Sequence, residues 1–167
     1  MNFTKINQEA VKNIINGSRW GFNVPGYWDG EYLIITFDGY SAYFLKDNDI
    51  AFDKSRVKDI GKAFPDIQTI NLPENEIHIT KRYVDSGLSS KSLLRVFKGN
   101  RDGKEWKVYI DTKMLKPLQK EASIISFYQA YDENADMRTK PIFAFLPSGI
   151  PLMAMLPVRV FDDDEFE

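Results

Sequence analysis

The stretch that decides the fold is residues 106–160, WKVYIDTKMLKPLQKEASIISFYQAYDENADMRTKPIFAFLPSGIPLMAMLPVRV. Its first residues are apolar and β-prone, and Asp111 is then suited to cap a helix whose inner face is Met114, Leu115 and Leu118. Three later apolar runs predict closing strands, at residues 124–128, 142–146 and 152–158. The stretch therefore predicts a strand, a short amphipathic helix and three further strands.

The beginning of the chain predicts a related order of elements. Residues 3–6 combine apolar and polar side chains, and we take them to predict a short strand. Asn7 is a suitable N-cap for a helix that ends at Asn16. Each end of the chain is thus predicted to begin with a strand and a helix and to continue into a meander of strands.

The middle of the chain is predicted to be rich in strands. Residues 32–37 and 40–45 flank Asp38-Gly39, which predicts a β-hairpin with a two-residue turn. Residues 55–64 have an apolar spacing that predicts a short helix or turn. Further strands are predicted at residues 77–80, 93–97 and 106–110.

Two short motifs occupy defined places in this order. Leu-Lys-Pro-Leu-Gln occupies residues 115–119 in the second predicted helix, and a Pro-x-Arg-x pattern closes the last strand at residues 157–160. With this order of elements, the chain resembles one domain of the bacterial DNA polymerase III β sliding clamps. The resemblance implies an α+β, DNA-clamp-like fold of two βαβββ halves, with antiparallel sheets and two helices on one face. Residues 1–160 would form this single domain, followed by an acidic C-terminal tail at residues 161–167.

The resemblance also implies a function without catalysis. Clamps form rings whose helices line a DNA channel, and this chain would be a DNA-tracking or partner-recruiting accessory in DNA replication, repair or mobile-element biology. Clamp protomers normally hold three domains, so a ring of this chain would need several copies in a homo-oligomer. The alternative is a single-stranded DNA-binding or protein-interaction module that keeps the fold without encircling DNA. A hydrolase that uses carboxylates is a third reading.

Basic residues on the two predicted helices are the candidate DNA contacts. Three lysines recur along the second helix, opposite its apolar face, and could contact successive phosphates. Three further basic residues surround the first helix. The candidate residues are Lys5, Lys12, Arg19, Lys113, Lys116 and Lys120. A plain solvated polar face is the alternative interpretation, because similar charge patterns cover most surface helices.

The closing strand is the candidate site for partner proteins. In the clamp family, this place forms an apolar groove that receives short peptides with Leu and Phe anchors from replication or repair proteins. The corresponding residues here are Met155, Leu156, Pro157, Val158 and Arg159. The alternative is an ordinary edge or core strand whose Arg159 is simply exposed.

Aromatic residues near both ends suggest further contacts. Residues 18–30 predict a loop, and its aromatic side chains could stack on bases or serve as buried anchors. These side chains are Trp20, Phe22, Tyr27 and Trp28. The acidic tail carries Phe161 and Phe166 and resembles the partner-recruiting tips of single-stranded DNA-binding proteins, although a solubilising tail is the alternative.

The composition excludes several chemistries. The chain of 167 residues has no cysteine and one histidine, His78, which excludes disulfides and thiolate metal sites. No nucleophile elbow, phosphate loop or metal-ligand motif occurs, so we expect no enzymatic activity, no metal and no cofactor. A formal net charge of −2 means that DNA binding would need a local basic face. The chain lacks signal-peptide features and long apolar runs, which predicts a cytoplasmic protein without a membrane partner.

Overall fold

The computed structural model describes residues 1–17, 21–85 and 93–159. The α-helices of these residues are α1 (Phe3–Asn16) and α2 (Ile67–Ile70), and the 3₁₀ helices are Asp47–Asp49, Lys54–Arg56, Pro73–Asn75, Thr112–Glu121 and Met137–Thr139. The strands, in chain order, are β1 Val24–Asp29, β2 Tyr32–Thr36, β3 Ser41–Leu45, β4 Val57–Asp59, β5 Glu76–Asp85, β6 Leu93–Arg101, β7 Lys104–Asp111, β8 Ser126–Tyr128, β9 Ile142–Phe145 and β10 Pro151–Met155. Thr112–Glu121 is called the lysine segment.

The described strands form a sheet of ten, in the order β4-β1-β2-β3-β10-β9-β8-β5-β6-β7. Neighbouring strands are antiparallel except β4, which runs parallel to β1. The pairing of β3 with β10, in which Ala42 lies opposite Ala154, joins the first meander of the chain to the last. The predicted α+β class with a mainly antiparallel sheet is confirmed.

The predicted strand at residues 3–6 is wrong, because these residues are the first part of α1. Asn2, rather than Asn7, caps the helix, and its side-chain oxygen accepts a backbone hydrogen bond within the first turn. Asn7 instead fixes α1 to a distant loop, because its Nδ2 donates to the carbonyl oxygen of Asp49 at 2.8 Å. Since the helix has no leading strand, the division of the fold into two βαβββ halves is not confirmed.

Two Asp-Gly pairs form different turns. Asp102-Gly103 is a two-residue turn between β6 and β7, with positive φ angles of 52° and 79°. The predicted hairpin of β2 and β3 is confirmed, but Asp38-Gly39 lies in a longer loop and pairing ends at Thr36. The Asp38 side chain accepts hydrogen bonds from two backbone N–H groups farther along this loop, at 2.8 and 3.0 Å. These local bonds favour the wider turn.

Of the short helix or turn predicted at residues 55–64, the structure has only the 3₁₀ turn Lys54–Arg56, which leads into β4. The predicted loop at residues 18–30 contains β1, which pairs with both β2 and β4. A glycine allows β1 to approach β2, because a Cβ at Gly26 would lie 2.5 Å from the carbonyl oxygen of Ile34. Tertiary pairing thus overrides the local turn signals in this region.

Alternating side chains give the sheet two apolar faces. On β2, Leu33 and Ile35 belong to one buried cluster, whereas Ile34 belongs to another. The first face is covered by α1 and the lysine segment and is called the helical face. The second face is covered by residues 60–75 and is called the loop face.

α1 and the lysine segment are neighbours on the helical face. The backbone N–H of Asn2 donates to the carbonyl oxygen of Pro117 at 3.2 Å. Leu118 is 2% exposed, and Met114 and Leu115 pack against the same apolar cluster. The predicted inner face of the second helix is therefore confirmed.

Candidate nucleic-acid and partner-binding surfaces

The lysine segment is built from a cap and an internal proline. The side chain of Asp111 accepts a hydrogen bond from the backbone N–H of Lys113 at 2.9 Å, as the sequence predicts for a cap. Pro117 lacks a backbone donor, and the segment is wound as a 3₁₀ helix rather than an α-helix. Because a 3₁₀ helix has three residues per turn, Lys113 and Lys116 lie on the same ridge.

The five described candidate lysines share the helical face and are exposed. Lys5, Lys113 and Lys116 line one concavity of about 550 Å³ between α1 and the lysine segment, called the lysine cleft. Lys12 and Lys120 lie outside this cleft. The remaining candidate, Arg19, lies outside the described residues. In the part of the chain that the structure describes, none of the five lysines forms an ion pair.

The lysine cleft also contains acidic and aromatic groups. Glu9 and Asp38 line it together with Tyr43. Burial raises the pKa of the Tyr43 hydroxyl to about 12, and the charges of Asp38 and Glu9 add to this shift. The hydroxyl therefore stays protonated at neutral pH and remains a hydrogen-bond donor.

The helical layer carries an excess of positive charge. Residues 3–16 and 112–121 together contain five lysines and two glutamates. Residues 60–75, which cover the loop face, contain one lysine and two acidic residues. The two faces of the sheet thus carry covers of opposite net charge, although the whole chain is close to neutral. The basic cover meets the requirement for local attraction of a polyanion.

The candidate groove residues do not form one continuous surface. Met155 is 0% exposed, and Leu156 is half-buried with its backbone N–H donating to the carbonyl oxygen of Tyr40 at 2.8 Å. Pro157 and Val158 are also half-buried. Val158 donates its N–H to the carbonyl oxygen of a β7 residue at 2.8 Å. The exposed residue of the set is Arg159.

Met155 and Leu156 line an apolar cavity of about 270 Å³. This apolar cavity lies between β2, β3 and β10 on one side and residues 60–64 on the other. Tyr27 also lines it and is 6% exposed, and its hydroxyl has no hydrogen-bond partner among the described residues. The sequence did not identify this cavity, because its walls come from separate segments that meet only in the folded sheet.

Burial raises the pKa of the Tyr27 hydroxyl to about 12, and the charge of Asp29 adds to the shift. The backbone N–H groups of Phe64 and Ala63 oppose it, but neither makes a hydrogen bond of good geometry with the hydroxyl. Tyr27 therefore presents a protonated donor next to the cavity. An unpaired buried hydroxyl is uncommon in folded proteins and calls for a physical explanation.

The aromatic candidates divide by exposure. Tyr27 is buried and has no face available to a base, whereas Phe22 is 59% exposed and Trp28 is 48% exposed. Trp20 lies outside the described residues, as does the tail with its two phenylalanines. Phe22 and Trp28 thus remain the described aromatic groups from this set that are placed to stack on a base.

His78 is exposed on β5. Across residues 1–17, 21–85 and 93–159, no group of three or more potential ligand side chains is placed to hold a metal ion. None of the helices in the same ranges is both long enough and apolar enough to cross a membrane.

Comparisons with known proteins give no match: no protein-family model, curated protein or solved structure matches the chain.

Proposed function

We propose that this chain is a non-enzymatic, DNA-clamp-like accessory domain that contacts duplex DNA through its helical face. The observation that carries the proposal is the set of five exposed lysines on that face, which lack ion pairs within the described residues. Some surface cations elsewhere are paired, as in Lys62–Asp29 and Arg138–Asp136. Lysines without carboxylate partners are available to phosphates.

The expected interaction is electrostatic and independent of base sequence. Each lysine that neutralises a phosphate releases counterions and adds about 0.9 to the slope of log affinity against log salt. Non-specific duplex binding of this kind has dissociation constants of about 10⁻⁴ to 10⁻⁶ M at physiological salt. Such weak contact suits a protein that tracks along DNA in replication, repair or mobile-element biology.

The test is the salt dependence of duplex binding. Replacing Lys113, Lys116 and Lys120 together by Ala should reduce the slope by about 0.9 for each of these lysines that neutralises a phosphate. A matched control replaces three exposed lysines that lie outside α1 and the lysine segment, Lys54, Lys58 and Lys62. An equal change in both triple variants, or no duplex binding by the parent protein at low salt, would assign the helical lysines to a solvated face.

Assembly is a separate part of the proposal. A ring of single domains requires copies to meet at the two ends of the sheet, where β4 and β7 are the terminal strands. Clamp-like halves joined in this way would form a homo-oligomer. Mass measurement across a range of protein concentrations tests this, because a protein that stays monomeric cannot encircle DNA.

A second candidate function is a protein-interaction module. The specific observation in its favour is the apolar cavity beside Met155 and Leu156, two of the candidate groove residues. Apolar pockets with few polar groups are typical sites for ligand or peptide anchors. Calorimetric titration with a peptide that carries Leu and Phe tests this function independently of DNA, and absence of binding would reject it.

A further inference from the structure

The lysine cleft has a cationic end and an acidic end. The cationic end holds Lys5, Lys113 and Lys116, where the first turn of α1 donates a backbone hydrogen bond to the lysine segment. Glu9 lies four residues after Lys5, which places it about 6 Å farther along α1. Although Glu9 and Asp38 line the same cleft, neither forms an ion pair with these lysines in the described part of the chain. The cleft therefore keeps its positive and negative groups apart.

The acidic end surrounds the hydroxyl of Tyr43. Burial raises the pKa of this hydroxyl most, and the charges of Asp38 and Glu9 add to the shift, so both carboxylates lie near it. Asp38 is held in place, because one carboxylate oxygen accepts the backbone N–H groups of Tyr40 and Ser41 at 2.8 and 3.0 Å. The Tyr43 hydroxyl itself has no hydrogen-bond partner among the described residues. This end therefore presents carboxylate acceptors and an unused hydroxyl donor.

Aromatic rings line the lysine cleft as well. Phe37 and Tyr43 are both half-buried, and their ring centroids lie 5.9 Å apart. Accessible aromatic surface is a platform on which nucleic-acid bases of any sequence stack. The cleft volume of about 550 Å³ lies within the range of pockets that hold small organic ligands. The cleft therefore has room for a planar ring in addition to an anion.

A ligand that matches this cleft carries an anion, a planar ring and hydrogen-bond donors. Lysine ammonium groups bind phosphates, aromatic side chains stack on bases, and carboxylates accept hydrogen bonds from the amino groups of bases. A nucleotide combines these three features in one molecule. A phospholipid headgroup with an amine would match both charged ends of the cleft but has no planar ring.

We propose that the lysine cleft is a binding site for a single unpaired nucleotide. The phosphate of this nucleotide contacts the three lysines of the cationic end, and its base lies beside Phe37 and Tyr43. The carboxylates of Glu9 and Asp38 accept hydrogen bonds from the amino group of the base. The inference rests on the proposed DNA contact of the helical face for one source of the nucleotide, the end of a DNA strand. A free nucleotide is the other source and requires no DNA contact.

The test compares labelled hairpin duplexes that have one open end. The first duplex ends blunt, the second carries one unpaired deoxyadenosine at its 3′ end, and the third carries an unpaired thymidine there. Fluorescence anisotropy measures the affinity of the protein for each duplex. We expect the unpaired deoxyadenosine to tighten binding by about tenfold, the equivalent of stacking one base. Thymidine should tighten binding less, because its base has no amino group for the carboxylates.

Glu9→Gln separates the nucleotide site from a plain basic face. Removing a negative charge beside the lysines should strengthen binding of the blunt duplex. The preference for the duplex with unpaired deoxyadenosine should nevertheless fall by about threefold, because a charged acceptor for the base is lost. The matched control Glu74→Gln, at an exposed residue of the loop-face cover, should change neither quantity. Equal strengthening of both duplexes by Glu9→Gln would overturn the nucleotide site.

Two further variants test the aromatic part of the cleft. Phe37→Leu removes one ring and should abolish most of the preference for the unpaired nucleotide. Tyr43→Phe keeps its ring, removes only the hydroxyl and should reduce the preference less. The control is Tyr83→Phe, at an exposed tyrosine of β5 outside the cleft, with circular dichroism as the check on folding. A preference that survives both cleft variants would place the unpaired nucleotide elsewhere and overturn the site.

Calorimetric titration with adenosine 5′-monophosphate distinguishes the two sources of the nucleotide. Binding of this nucleotide without binding of any duplex would keep the site, assign it to a free nucleotide and overturn the proposed DNA contact. Equal affinity for the three duplexes without binding of the free nucleotide would overturn the site and leave the DNA contact standing. Absence of all binding would overturn both. The failure of the site and the failure of the proposed function are therefore distinguishable.

Discussion

The helical face and the loop face of the sheet are covered in different ways. The helical face is covered by a 14-residue α-helix and a 10-residue 3₁₀ helix, both capped by side chains. The loop face is covered mainly by irregular chain with one four-residue helix, α2. The same strands supply both apolar faces by simple alternation. The difference therefore lies in the covers: one is a basic layer of two capped helices, and the other is mainly irregular chain.

The two covers suit two different kinds of binding. A capped helical layer holds lysines at fixed spacing, which suits contacts with a regular array of phosphates. The loop face instead has the apolar cavity between the sheet and residues 60–64, which suits an apolar ligand.

The largest expected effect is on stability. Leu118→Ala removes a side chain that is 2% exposed in the helical-face cluster, and we expect it to cost about 2–5 kcal/mol in the free energy of unfolding. Phe64→Ala removes a half-buried ring from residues 60–66 and should cost less, at about 1–2 kcal/mol. Urea denaturation measures both values. A larger loss for Phe64→Ala than for Leu118→Ala would show that Phe64 contributes more to the core than the buried Leu118.

The next effect concerns the lysine cleft. Lys5→Ala with Lys116→Ala removes two cleft lysines, whereas Lys12→Ala with Lys120→Ala removes two lysines of the same face outside the cleft. If duplex DNA lies over the cleft, the first pair should lower the salt slope by about 1.8, at about 0.9 for each phosphate, and the second pair should lower it less. Fluorescence anisotropy with a labelled duplex at several salt concentrations measures the slopes. Equal slopes for the two pairs would place the DNA elsewhere on the helical face.

The sequence predicted the elements whose signals are local. Asp111 and the apolar spacing after it predicted the lysine segment, apolar runs predicted the last strands, and two runs that flank Asp38-Gly39 predicted the hairpin. The start of α1 was misplaced because both Asn2 and Asn7 are residues that can cap a helix, and Asn7 is drawn into a tertiary contact with Asp49. β1 is a strand because it pairs with β2 and β4, and β4 is a strand because it pairs with β1, which local propensity does not report.

The candidate sites were predicted where they depend on residues close in the sequence and missed where they depend on residues distant in the sequence. The lysines could be placed on one face because helical spacing fixes their directions. The groove residues were expected to share a surface, but the chain turns after Met155, so Leu156 bonds to Tyr40 while Val158 bonds to Tyr109. The cavity involves residues as distant in the chain as Tyr27 and Leu156. No spacing rule in a single sequence brings such residues together.

A smaller effect is expected at Tyr27. Tyr27→Phe removes a buried hydroxyl that has no partner among the described residues, so we expect stability to be unchanged or raised by up to about 1 kcal/mol. Tyr40→Phe is the control, because Tyr40 is 58% exposed at the rim of the same cavity and should leave stability unchanged. Urea denaturation provides the comparison. A clear loss of stability for Tyr27→Phe would mean that the hydroxyl has a bonding partner in solution.

The smallest effect is spectroscopic and compares one tyrosine from each face. Burial raises the pKa of Tyr27 on the loop face and of Tyr43 on the helical face to about 12, from an ordinary value of 10. The folded state thus holds the hydroxyl protons of Tyr27 and Tyr43 more tightly than the unfolded state does. The contribution of these two tyrosines to the free energy of unfolding is therefore complete below pH 10 and is lost as the pH rises from 10 to about 12. Alkaline titration followed by tyrosinate absorbance should show these two groups ionising well above pH 10. Phe64 covers the cavity beside Tyr27. Phe64→Ala should therefore lower the pKa of Tyr27 toward 10 and leave the pKa of Tyr43 near 12. The variants Tyr27→Phe and Tyr43→Phe assign each ionisation step to its tyrosine. A parallel fall of both pKa values would indicate general loosening of the fold, and an unchanged pKa of Tyr27 would show that Phe64 does not limit access of water to the cavity.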